Sequence, residues 1–189
     1  MHLTRGGSKA VPEEEKCLET KTVYDGRLLK VRADRVQLPG GSESTREVVT
    51  HPGAVAMVPV TADDQVVLVQ QWRYAAGGPL LEIPAGTLEP GEEPVTCAAR
   101  ELAEEIGCRA GRLEPLGSFF VAPGYSSERI HLYLATELQP AEGEPDADEA
   151  IEMLLVPLAQ AVAMARDGRI EDAKSIIGLL LAAERLRDR

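Results

Sequence analysis

At 189 residues, 44% of them hydrophobic, the chain can bury one sizeable core and is short for two independent ones. A formal net charge of −11 excludes binding to a nucleic-acid backbone through clustered Lys and Arg, although an acidic protein can take a phosphorylated ligand where a bound divalent cation reverses the sign locally. Cys17, Cys97 and Cys108 form no CxxC pair and suggest neither a disulfide framework nor a zinc site; with no signal peptide and no apolar run long enough for a bilayer, the expected compartment is the cytoplasm, away from any membrane.

Residues 1–17 carry Gly6-Gly7-Ser8 and the acidic run Glu13-Glu14-Glu15, too little apolar surface to fold alone, so they are expected to form a mobile tail. From Leu18 to about residue 50 the chain reads as short β-branched stretches punctuated by turn residues, Asp25-Gly26 and Pro39-Gly40-Gly41, which predicts antiparallel strands. Ala54–Val60 and Gln65–Gln70 flank Ala62-Asp63-Asp64 and are apolar enough to be buried on both faces, predicting a central hairpin. A short strand at Leu80–Ile83, a helix at Pro94–Ile106 and strands at Leu113–Val121 and Ile130–Thr136 follow. Glu137–Ala150, rich in acidic residues and holding Pro140, Gly143 and Pro145, reads as an acidic loop; a strand at Ile151–Val156 and helices at Leu158–Arg166 and Asp172–Arg187 close the chain. Trp72 is expected in the core, and His51 and His131 have no partner spacing that suggests catalysis.

The informative segment is Ala85–Cys108, AGTLEPGEEPVTCAARELAEEIGC. Pro94 suits a first helical turn and Gly107 the position just past the end, so both helix boundaries are marked. At about 100° per residue, Val95, Ala98, Ala99, Leu102 and Ile106 share an apolar stripe, while Arg100, Glu101, Glu104 and Glu105 share the opposite side. Carboxylates three and four residues apart repel, so the cluster calls for compensation, and hard oxygen ligands grouped this way suit Mg²⁺ or Mn²⁺. The planar fork of Arg100 could hold one carboxylate, Glu92 from the preceding loop, in a fixed orientation. Taken alone, a glutamate pair on a helix is more often a solvated, salt-bridged face.

The whole pattern is more specific than the pair. Gly86, five residues, Glu92, seven residues, Arg100-Glu101-Leu102, one residue, Glu104-Glu105, one residue, Gly107 and the apolar Cys108 resemble the complete Nudix box. The resemblance covers roughly Gly53 to the C-terminus and implies an α/β Nudix fold, a mixed sheet sandwiched between helices, here following an N-terminal antiparallel strand segment. The expected organisation is a tail (1–17), a β segment (18–50) and the hydrolase domain (51–189). The family hydrolyses a nucleoside diphosphate joined to another group. It implies Glu101 and Glu105 as principal metal ligands, Glu104 as a further or water-mediated ligand with a catalytic role, the Ala85 carbonyl as an additional donor, Arg100 and Glu92 as support, and two or more Mg²⁺ or Mn²⁺ ions. The base that takes a proton from water often lies on an acidic loop in such enzymes; Asp146, Asp148 and Glu149 are the candidates, with Glu149 preferred and a merely solvated loop as the alternative.

Within the family, the stretches Arg46-Glu47-Val48-Val49, Gln70-Gln71-Trp72-Arg73-Tyr74, Leu81-Glu82-Ile83-Pro84-Ala85-Gly86 and Ser118–Ala135, with Pro123 about fifteen residues past the box, are similar to ADP-ribose pyrophosphatases. That similarity implies a nucleotide-sugar substrate, ADP-ribose, cleaved to AMP and ribose 5-phosphate. It places Arg73 on the pyrophosphate, Glu82 by the substrate and metals, Glu128 on the ribose side, and Ser126 and Arg46 among the substrate contacts. In similar enzymes the N-terminal segment exchanges across a two-fold axis, so a swapped homodimer is expected. The alternatives are a GDP-mannose or other nucleotide-sugar pyrophosphatase and a sensor that binds ADP-ribose without hydrolysing it.

Overall fold

The computed structural model of the chain describes residues 13–141 and 151–188. Contacts divide it into two units, one of residues 1–51 with Gly124–Ser126, the other of Pro52–Pro123 and Ser127–Arg189.

The first unit is an antiparallel three-stranded sheet, β1 (Lys16–Asp25), β2 (Lys30–Gln37) and β3 (Glu43–Thr50), in the order β1-β2-β3. Gly41, at φ 84°, makes the β2–β3 turn after Pro39. The expected tail is one strand-end too long, because Lys16 and Cys17 pair with Gln37 and Val36; the remainder of that expectation, residues 1–12, lies outside the described residues. Among the described residues Val36 is the one buried hydrophobic of this unit, whereas Val23, Tyr24 and Leu28 are exposed.

The second unit holds two sheets. One has the order β7-β4-β9-β8, from β4 (Ala54–Pro59), β7 (Ala85–Thr87), β8 (Cys108–Phe120) and β9 (Arg129–Pro140); the other has the order β10-β5-β6, from β5 (Gln65–Arg73), β6 (Gly78–Glu82) and β10 (Glu152–Pro157). Side chains alternate across a strand, and β4 and β5 use the alternation to feed two cores. Ala54, Ala56, Val58, Val66 and Leu68 pack with α2 (Leu158–Asp167) and α3 (Ala173–Arg187). Val55, Met57, Val67 and Val69 pack with Cys97, Ala98, Leu102 and Ile106 of α1 (Pro94–Ile106). Sheets therefore lie between α1 on one side and α2 and α3 on the other, the Nudix sandwich. Full burial of a side chain such as Met57 or Leu68 contributes roughly 1.5–3 kcal/mol, so these strands anchor the unit.

Several expectations need correction. Ala54–Val60 and Gln65–Gln70 do not form a hairpin in one sheet: β4 takes β9 in parallel and β7 antiparallel, β5 takes β10 and β6, and one isolated bridge, Val60 to Val66, joins the two. Strands buried on both faces can each sit centrally in a different sheet, which adjacency in sequence does not reveal. β8 and β9 run longer than predicted, because their pairing continues to Cys108 and Pro140. Trp72 is 64% exposed; it lies beyond the end of the β10 pairing, at the tip of β5, where it faces Pro79. On α1 the buried stripe is rotated: Cys97 joins it, while Val95 and Ala99 are exposed. The acidic stretch 142–150 lies outside the described residues.

Candidate active site

The site grows from the junction of β7 and α1. Strand β7 pairs with β4 through Ala85 to Ala56, Gly86 to Val55 and Thr87 to Ala54. A turn with Gly91 at φ 80° follows, in which the Glu92 N–H donates to the Glu89 carbonyl and the Glu92 carboxylate accepts from the Glu89 N–H, each at 3.0 Å. Helix α1 then starts at Pro94, whose missing N–H costs nothing there, and ends in Gly107 at φ 61°, whose N–H caps the last turn.

This geometry lays the polar side of α1 against β7. Glu105 Oε2 accepts the Ala85 N–H at 3.1 Å. The Glu101 carboxylate lies directly over Gly86, so that a β-carbon at Gly86 would stand 1.9 Å from its carboxyl carbon. Arg100 organises the rest. Its Nε and Nη2 donate to the two oxygens of Glu92 at 3.0 and 3.1 Å, and its Nη1 donates to Glu101 at 2.7 Å and to Glu104 at 2.8 Å. Nη2 also reaches the Thr87 carbonyl at 3.4 Å and Cys97 Sγ at 3.3 Å.

Electrostatics follow from that packing. The Arg100 guanidinium, helped by the Glu89 N–H, pulls the Glu92 carboxyl down to about 2, and Glu92 in turn raises Arg100. Burial, then Glu92, pushes the Cys97 thiol up to about 12, so it packs as a neutral group. Glu92, Glu101, Glu104 and Glu105 set four formal negative charges against one on Arg100, leaving −3 within this group. Among the described residues no three acidic, His or Cys side chains meet as a preformed metal cage; Glu101 and Glu104 turn to Arg100 and Glu105 to the Ala85 N–H. The donor set nevertheless fits a hard divalent cation, being all carboxylate, with Gly86 leaving the space Glu101 occupies.

A second cluster lies on β5 and β6. Arg73 Nε and Nη2 donate to Glu82 at 2.7 and 2.9 Å, and Lys174 Nζ bonds the same carboxylate. Glu82 is 1% exposed; burial raises its pKa, but Arg73 and Lys174 together outweigh burial and hold it below the ordinary value. Lys174, with Asp172 and Ser175 beside it at the start of α3, was not legible in the sequence, because its partner lies 92 residues away.

The other candidates lie on other elements. Glu128 is half-buried just before β9, and its carbonyl accepts from the Val121 N–H. Ser126 and Arg46 belong to the first unit, where Ser126 bridges Val49 and Arg46 is ion-paired with Glu15 at 2.6 Å. His131 sits within β9 opposite Ser118. Glu149, Asp146 and Asp148 lie outside the described residues.

A helix-borne carboxylate cluster of net charge −3, set against a glycine-bearing strand, can hold a hard divalent cation, the chemistry on which metal-dependent hydrolases draw. Residues 50–177 match the model of the NUDIX domain, and residues 15–49 match that of the nucleoside diphosphate sugar hydrolase N-terminal domain. The chain belongs to the Nudix family and is a Nudix hydrolase. It is 40% identical over 168 residues to the methanol dehydrogenase activator of Bacillus methanolicus, covering 88% of this chain and 91% of that one. It is 39% identical over 164 residues to the ADP-ribose pyrophosphatase of Bacillus subtilis, covering 86% and 89%. A crystal structure of an ADP compounds hydrolase superposes with a TM-score of 0.85 at 27% identity, over 95% of this chain and 98% of that chain. Among the described residues no helix is long and apolar enough to cross a membrane.

Proposed function

We propose that this Nudix hydrolase cleaves the pyrophosphate of ADP-ribose to AMP and ribose 5-phosphate, using two or more Mg²⁺ or Mn²⁺ ions. The observation that carries the reading is the carboxylate cluster of α1 set on Ala85 and Gly86, in a chain 39% identical to an ADP-ribose pyrophosphatase over nearly its whole length. Glu101 and Glu105, with Glu104 and the Ala85 carbonyl, would hold the cations. When bound, these supply neutralisation of the phosphate oxygens and activation of a water for attack on phosphorus.

The protein's own groups do the positioning. Arg100 fixes Glu101 and Glu104 in place and is itself fixed by Glu92; the Ala85 N–H fixes Glu105. Arg73 orients the pyrophosphate, Glu128 meets the ribose side, and Glu149 takes the proton of the attacking water. The test is turnover of ADP-ribose, GDP-mannose, ADP-glucose, diadenosine polyphosphate and 8-oxo-dGTP, with Mg²⁺, with Mn²⁺ and with chelator, products being resolved chromatographically. Dominant, metal-dependent formation of AMP and ribose 5-phosphate is expected. Preference for GDP-mannose would replace the substrate and keep the site; tight ADP-ribose binding without turnover would make the chain a sensor.

The same reading includes a cytoplasmic homodimer that exchanges the first unit. It is supported by three free cysteines and by a three-stranded sheet with one buried hydrophobic among its described residues and an apolar fringe of Val23, Tyr24 and Leu28. Light scattering on the full chain tests it, and a monomeric mass overturns it. A second reading rests on the 40% identity to a methanol dehydrogenase activator: the chain would raise the activity of a dehydrogenase. Adding the chain to a methanol dehydrogenase and following alcohol oxidation tests that reading.

A further inference from the structure

The first turn of α3 grips the end of β6. Asp172 caps the helix by accepting the Ser175 N–H at 2.9 Å, and it also accepts from the Ser175 hydroxyl at 2.5 Å. That hydroxyl accepts the Ile83 N–H at 2.8 Å, while Lys174, 3.1 Å from Asp172, bonds the neighbouring Glu82 carboxylate. Two consecutive residues of α3 therefore hold the last residue of β6 and the one after it, in the segment that leads to Ala85. Ser175 is fully buried, and the Lys174 side chain is only 12% exposed.

The consequence falls on Arg73. Glu82 takes its Nε and Nη2 edge, which turns the plane of the guanidinium and leaves the Nη1 edge pointing away from the carboxylate. A carboxylate paired with one arginine cancels its charge. Here Lys174 shares the single charge of Glu82, so less of the positive field of Arg73 is quenched, and Asp172 is engaged at the positive end of α3. An anionic diphosphate then meets an arginine that is oriented and still attractive.

We propose that Lys174 is a positioning residue for the substrate: acting through Glu82, it fixes Arg73 in the orientation that receives the pyrophosphate and leaves its positive charge less quenched. The proposal rests on the reading of Arg73 as a pyrophosphate contact. Lys174, largely buried and bonded to Glu82, acts through that carboxylate and not on the substrate directly.

The experiment is steady-state hydrolysis of ADP-ribose with Mg²⁺ by the full chain and by Lys174→Met, Lys174→Gln, Lys174→Arg, Arg73→Gln and the double variant Arg73→Gln/Lys174→Met, with thermal melts of each. Lys174→Met and Lys174→Gln should raise KM about 10-fold with kcat within about 3-fold, and Lys174→Arg should restore KM. The double variant should be no worse in KM than Arg73→Gln alone, because both changes act through one group. Lys174→Gln keeps a donor to Glu82 and serves if Lys174→Met does not fold. A KM that rises in Arg73→Gln and stays unchanged in the Lys174 variants, or losses that add in the double variant, overturns the positioning role and leaves Arg73 as a contact. A KM unmoved by Arg73→Gln overturns the reading beneath it. A lowered melting temperature with unchanged KM reduces Lys174 to a structural residue and also overturns the proposal.

Discussion

A β-carbon at Gly86 would sit 1.9 Å from the carboxyl carbon of Glu101, so the glycine and the glutamate occupy complementary space. The residue is a strand glycine without a positive φ, which means that alanine is compatible with its backbone and that the Glu101 carboxylate, its nearest neighbour, must move. The end of a flexible side chain moves at little cost to the fold. Gly86→Ala is therefore expected to keep the wild-type melting temperature within a few degrees while turnover falls on the order of 100-fold, the scale of effect that a misplacement of about 1 Å can have. Calorimetry and steady-state kinetics on the same preparation check both halves. Wild-type turnover would remove Glu101 from the site.

Glu105 offers the converse experiment. Its Oε2 accepts the Ala85 N–H, a bond that the amide oxygen of glutamine can also make, so Glu105→Gln conserves the helix-to-strand contact and deletes a charge. Activity should fall about 100-fold or more, with circular dichroism and melting temperature preserved. Turnover within a few-fold of wild type would show that Glu105 holds no cation.

Much of this site was legible because its information is local. Pro94 and Gly107 punctuate α1 at the residues where the helix begins and ends, and the spacing of Glu101, Glu104 and Glu105 brings them to one side of it. Glu92 and Arg100, eight residues apart, could be paired by reach alone, and they are paired. What was not legible is non-local. Apolar β4 and β5 could not announce that they belong to different sheets, because a strand buried on both faces carries no alternation to name its partner. Lys174 carries no local signal, and only the fold brings it to Glu82. Trp72 followed the rule that large aromatics are inside, yet it lies beyond the reach of β10, where β5 loses a neighbour.

Cys97 separates burial from reactivity. It is fully buried between α1 and the sheets, with its thiol pushed up to about 12, whereas Cys17 is exposed and Cys108 half-buried. Only the thiolate attacks a disulfide reagent. At pH 8 a dithiobenzoate titration should label Cys17 within the first minutes and Cys97 only when the protein is unfolded in guanidinium. Peptide mapping assigns each label; early modification of Cys97 would mean that α1 opens readily.

Glu92 should leave its mark on the pH dependence of stability. Its carboxyl lies at about 2 in the folded chain against an ordinary 4.5, because Arg100 and the Glu89 N–H favour the ionised form. A carboxylate lowered on folding contributes stability that is complete above the unfolded value and is lost as pH falls towards the folded one. The comparison is between wild type and Glu92→Gln, unfolded in urea with chelator present so that cation binding does not intervene. Wild type should hold a constant advantage in midpoint from about pH 7 to about pH 5, and the gap should narrow from about pH 4.5 towards pH 2, where Glu92 takes up its proton and the two chains carry the same charge at this position. A gap independent of pH would assign the effect to hydrogen-bond geometry alone and detach Glu92 from the charge of Arg100.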